Sequence, residues 1–106
     1  SLYICYMLDI SRYKTEIMTL CSSLNVKELY LFGSALSVKY SADSDIDLLV
    51  NFKNLSPSDY TKNYFALKFS LEELLGKEID LLEQKSLSNP YLKSEIDSKK
   101  QLLYAA

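Results

Sequence analysis

The chain contains no histidine, and only two cysteines, two glycines and two prolines among its 106 residues. The missing histidine excludes His-based general-base and nucleophilic chemistry, and His-containing zinc sites, in one step. Any chemistry must rest on carboxylates, hydroxyls, lysines and a bound metal. Cys5 and Cys21 lie far apart and match no metal-ligand spacing. Both read as buried or half-buried reduced thiols, which suits a cytoplasmic protein. No apolar run is long enough to cross a bilayer, so no membrane association is expected. Ser1 to Leu8 is apolar and aromatic. It lacks a basic leading segment and a small-residue cleavage site, which argues against a signal peptide. The net charge of -2 disfavours a nucleic-acid binder held by phosphate contacts.

What is present suits one compact domain, residues 1–106. From Asp9 to Leu24, apolar residues recur at steps of three and four (Ile10, Tyr13, Ile17, Leu20, Cys21, Leu24), the period of an amphipathic helix. Glu28 to Phe32 is a short β-rich run stopped by Gly33. Ser34 to Lys39 reads as a short helix, and Asp45 to Phe52 as a second strand with clean alternation. Ser56-Pro57-Ser58-Asp59 has the chemistry of a helix start: a capping hydroxyl, a proline at the first position and an acid in the first turn. Tyr60, Tyr64, Leu67, Leu71 and Leu74 form that helix's buried stripe, and Gly76 is placed to end it. Glu78 to Glu83 is a third strand. Asn89-Pro90 opens a last helix with Leu92, Ile96, Leu103 and Tyr104 on its inner side. The expected fold is α/β (α+β), a small three-stranded mixed sheet with helices packed on one face.

The informative constellation is Gly33-Ser34, ten further residues, then Asp45-Ile46-Asp47. Strand alternation sends Asp45 and Asp47 to one face and Ile46, Leu48 and Val50 to the other. Asp80, on the next strand, falls on the same face as the two aspartates. Carboxylates crowded together repel, and a divalent cation is the usual remedy; Mg²⁺ prefers carboxylates plus phosphate oxygens. Gly33 lets a phosphate approach the backbone, and Ser34 offers a hydroxyl and a helix N-terminus. Two Mg²⁺ ions on such carboxylates can stabilise both the attacking and the leaving oxygen of an in-line displacement. A third carboxylate can take the acceptor's proton. Phosphoryl chemistry of this kind depends on positioning and charge neutralisation, so the lack of histidine is no obstacle.

These segments, with Gly76-Lys77-Glu78-Ile79-Asp80-Leu81-Leu82 and the tail from Asn89 to Tyr104, resemble the minimal nucleotidyltransferases of the DNA polymerase beta superfamily. The likeness is greatest to the antitoxin half of HEPN–minimal-nucleotidyltransferase pairs, and it covers nearly the whole chain from about Asp9. The resemblance implies that Gly33 and Ser34 bind the nucleotide triphosphate. Asp45 and Asp47 would ligate Mg²⁺, and Asp80 would be the third carboxylate, a metal ligand or base. It further implies transfer of AMP from ATP to a tyrosine of a partner HEPN toxin, within a homo- or hetero-oligomer. The chain departs from the family at Ser37 and Val38, where many relatives carry Arg-Gly. Arginine grips phosphate through two parallel hydrogen bonds. Its absence leaves a second reading open: a nucleotidyltransferase-fold binding module that neutralises its partner by contact alone.

Overall fold

The computed structural model describes residues 10–32 and 45–106. A 3₁₀ turn over Ile10–Tyr13 leads into helix α1, Lys14–Ser23. Strand β1 is Val26–Phe32 and strand β2 is Ile46–Phe52. Helix α2 spans Pro57–Leu75 and is followed by β3, Ile79–Glu83. Helix α3, Pro90–Lys99, and strand β4, Gln101–Ala105, complete the chain.

Local sequence signals explain most of these boundaries. The periodicity buries Ile10 from the 3₁₀ turn and Ile17 and Cys21 from α1. Asn25 ends that helix with φ of 61°, a left-handed conformation that asparagine tolerates. At the start of α2 the Ser56 side chain accepts a hydrogen bond from the Asp59 N–H, with Pro57 in the first turn. At its end Gly76 takes φ of 66°, and its N–H donates to the Glu72 carbonyl. Asn89 caps α3 by accepting from the N–H groups of Tyr91 and Leu92.

The sheet has four strands in the order β3-β2-β1-β4. β1 pairs antiparallel with both β2 and β4, while β2 and β3 run parallel. The expected mixed sheet is therefore present with one strand more than three. The last helix stops at Lys99 and does not reach Tyr104. Residues 101–105 instead pair along the free side of β1, with Leu29 opposite Tyr104 and Tyr30 opposite Leu102. A short apolar run fits either a strand or a helix, and here β1's unpaired N–H and C=O groups decide. Leu103 and Tyr104 still pack against the core, but from a strand. Leu92, expected on the inner side, is exposed.

The main core lies on one face of the sheet. Leu29, Leu31, Ile46, Leu48, Val50, Ile79 and Leu81 meet Ile17 and Cys21 of α1 and Leu67 and Leu71 of α2 there. The third helix is placed differently. β3 and β4 are opposite edges of the sheet, so α3, which joins them, must cross it. Lys100, just past α3, sits with Nζ 4.2 Å from the centre of the Tyr30 ring. Tyr30 pairs with Leu49 on the face that also carries Asp47. Leu49 and Ile96 are the two buried apolar residues outside the main core among those described.

Candidate active site

Three strands contribute to one end of the sheet. Phe32, the last residue of β1, pairs with Asp47 of β2, and Asp47 pairs on its other side with Asp80 of β3. Paired residues on adjacent strands share a face, with backbones about 4.8 Å apart. The two carboxylates therefore stand side by side on the face opposite the main core. Their flanking residues Ile46, Leu48, Ile79 and Leu81 are buried on the core face and pin the register. Asp47 is half-buried and Asp80 exposed.

Asp45 immediately precedes β2 and is exposed, so the ladder that holds Asp47 and Asp80 does not include it. Among the described residues, no group of three acidic or cysteine side chains gathers closely enough to hold a metal ion. The part of the site built by strand pairing is the Asp47–Asp80 pair. Its donor chemistry fits Mg²⁺, which takes one or two carboxylates and fills its shell with water and phosphate oxygens. Gly33 and Ser34 follow Phe32 directly in sequence and lie outside the described residues, as do Cys5, Ser37, Val38 and Lys39. An open groove of about 490 Å³ along α3, lined by Pro90, Lys93, Ser94, Asp97 and Ser98, contains none of the candidate residues.

Periodicity alone presents the tyrosines of α2 as core packing, yet their hydroxyls hold β3. Tyr64 donates to the Leu81 carbonyl at 2.6 Å, and Tyr60 donates to Glu83 Oε2 at 2.6 Å. Burial first, and then the neighbouring Glu83, raises the pKa of both phenols, so both remain neutral donors near neutral pH. Lys85 places its ammonium 3.7 Å from the Tyr60 ring centre. Glu72 accepts from Lys68 Nζ at 2.8 Å and from the Ile79 N–H at 3.0 Å. The Lys68 ammonium, with the Ile79 N–H second, holds the Glu72 carboxyl below its ordinary range. The only signal for these contacts in the sequence is polar tips at the helical spacing of a buried stripe.

Further along the same face, Tyr30 donates to Glu28 Oε2 at 2.7 Å and Asn51 donates to Glu28 Oε1 at 3.3 Å. Both bonds lower the Glu28 pKa, Tyr30's first, and the one from Asn51 ties β2 to β1.

Comparison with known proteins agrees with this geometry. The profile of the family described as "Polymerase beta, Nucleotidyltransferase" matches residues 15–106. A relative from Methanocaldococcus jannaschii, named "Putative protein adenylyltransferase", is 38% identical over 72 residues, covering 68% of this chain and 71% of that one. A solved "putative minimal nucleotidyltransferase" superposes with a TM-score of 0.70 at 26% identity, covering 90% of this chain and 93% of that one. A chain from the complex of tri-AMPylated Shewanella oneidensis HEPN toxin with MNT antitoxin superposes with a TM-score of 0.61 at 21% identity. That match covers 91% of this chain and 72% of the other. An α+β sheet with aspartates in register on β2 and β3, and a profile match over nearly its full length, lead to one assignment: the chain belongs to the polymerase beta nucleotidyltransferase family.

Proposed function

We propose that this nucleotidyltransferase moves AMP from ATP to a tyrosine hydroxyl of a partner HEPN-domain toxin, with Mg²⁺, and so acts as an antitoxin. The observation that carries the reading is the side-by-side pairing of Asp47 and Asp80 at the end of the sheet where β1 gives way to Gly33-Ser34. The names of the adenylyltransferase relative and of the AMPylated toxin complex support the choice of nucleotide and acceptor. All 106 residues would serve as one nucleotidyltransferase domain, working in the cytoplasm.

The reaction is an in-line displacement. The acceptor oxygen bonds to the α-phosphorus of ATP, the bond to the bridging oxygen of the β-phosphate breaks, and pyrophosphate leaves. Asp45, Asp47 and Asp80 would hold Mg²⁺, which when bound neutralises phosphate charge and aligns the attacking and leaving oxygens. Gly33 and Ser34 would receive the triphosphate through backbone N–H groups and the hydroxyl. Asp80 is the carboxylate best placed in the ladder to take the proton from the acceptor hydroxyl, since it is exposed while Asp47 is half-buried.

The test is transfer of α-labelled AMP from ATP to the purified partner toxin, with tyrosine identified as the acceptor by mass spectrometry. Asp45→Ala and Asp47→Ala should each abolish label incorporation while folding normally; full labelling by both variants would sink the assignment. Ser37 and Val38, in place of Arg-Gly, favour a second reading in which the chain neutralises the toxin by contact alone. In that case Asp45→Ala would still protect cells that express the toxin.

A further inference from the structure

We propose that Tyr64 and Glu72 are positioning residues for Asp80. From α2 they take up one outward backbone group on either side of it, the Ile79 N–H and the Leu81 carbonyl, and so hold its carboxylate beside Asp47. The proposal rests on the reading of Asp80 as a site carboxylate and adds what keeps it in place.

β3 is an edge strand of the sheet. An edge strand hydrogen-bonds on one side only, and its outward groups are left to water or to other partners. The Ile46 N–H donates to the Glu78 carbonyl at 3.1 Å. In a parallel ladder this turns the backbone groups of Glu78, Asp80 and Leu82 toward β2, and those of Ile79, Leu81 and Glu83 outward. One outward group on each neighbour of Asp80 has a partner on α2. The Ile79 N–H donates to Glu72, and the Leu81 carbonyl accepts from Tyr64. Asp80 is thus gripped through its own backbone by β2 and through both neighbours by α2. Lys68 fixes Glu72 from the same helix at 2.8 Å.

This arrangement matters most at an edge. A central strand is held from both sides by its sheet partners, as Asp47 is between β1 and β3. Without α2, Asp80 would have one ladder and a fraying outer side. A metal ion shared by two carboxylates is sensitive to small shifts in either.

The experiment uses the full chain and four variants: Tyr64→Phe, Glu72→Ala, Glu72→Gln and Asp80→Asn. Amide hydrogen exchange at Asp80 and Leu82 reports local holding of β3. Calorimetric ATP titration at a series of Mg²⁺ concentrations reports the site. Tyr64→Phe keeps the ring and removes only the hydroxyl. It should speed exchange at Asp80, leave β1 amides protected, and raise the Mg²⁺ needed for half-maximal ATP binding by about 10-fold, the low end for losing a supporting partner. Glu72→Ala should act alike, while Glu72→Gln, which keeps an acceptor for the Ile79 N–H, should restore most of the loss. An unchanged Mg²⁺ requirement in Tyr64→Phe overturns the proposal, as does unchanged exchange at Asp80. A wild-type Mg²⁺ requirement in Asp80→Asn overturns the reading of Asp80 itself, and the proposal with it.

Discussion

Asp47 and Asp80 occupy directly paired positions on adjacent parallel strands, with apolar residues buried on both sides of each. Their carboxylates cannot drift apart without a slip of register. A slip of either strand by one residue would drive its own aspartate into the core, so the pair is as stable as the core that sets it. Mg²⁺ with ATP should therefore stabilise the folded chain. At ten times the dissociation constant the gain is about 1.4 kcal/mol, or a rise in melting temperature of about 5–10 °C. Asp80→Asn should lose that rise in a thermal melt, while its melting temperature without ligand stays close to wild type.

Gly76 ends α2 with φ of 66°, and a Cβ added there would meet nothing within 4 Å. Gly76→Ala should cost about 1–2 kcal/mol, all of it from the left-handed backbone conformation. Gly76→Asn should cost less, because asparagine tolerates that region, as Asn25 does in this chain. Urea denaturation of the two variants checks the order.

Leu67 and Leu49 are both fully buried, yet only Leu67 belongs to the main core. Each, replaced by alanine, should lose about 2–5 kcal/mol, the usual cost of a buried leucine and its cavity. A loss at Leu49 as large as that at Leu67 would establish that the Asp47 face of the sheet is covered as firmly as the other. A loss near zero in urea titrations would contradict the burial of Leu49.

Glu72 and Glu28 both have folded pKa values below their ordinary values, Glu72 chiefly through Lys68 and Glu28 chiefly through Tyr30. A carboxyl whose pKa is lower in the folded state stabilises the fold fully above its unfolded pKa. That contribution fades as pH falls from the unfolded value toward the folded one. Stability should therefore decline as pH drops below about 4.3, the usual glutamate value. Glu72→Gln should flatten part of that decline in melts recorded from pH 6 to pH 3.

Cys21 is a free thiol with no exposed surface, and burial pushes its pKa up to about 12. The reactive form is the thiolate. Iodoacetamide at pH 8 should leave the Cys21 peptide unmodified in the native protein and label it fully in urea. Labelling of Cys21 under native conditions would contradict its burial.

Much of this was legible along the chain, where the cause is local. Ser56 and Pro57 start α2 and Gly76 ends it because each acts on its own turn of backbone. The alternation around Asp47 and Asp80 reads directly, because side chains on a strand change face at every residue. Cys21 reads as a buried reduced thiol for a similar reason, since it falls on the α1 stripe. The residues of the tail do not carry their own answer. Gln101 to Ala105 would suit a continued helix equally well.

What the sequence determined by itself, then, is the elements with strong caps and periods, and the face on which the aspartates lie. Only the tertiary structure decided that residues 101–105 become a strand, because their hydrogen-bond partners are the open side of β1, far back in the chain. It also decided the pairing of Asp47 with Asp80, since register is a relation between two strands and belongs to neither. The grip of Tyr64 and Glu72 on β3 has the same origin. A tyrosine on a helical stripe packs by its ring whatever its surroundings, but where its hydroxyl donates depends on the carbonyl that the fold brings to it.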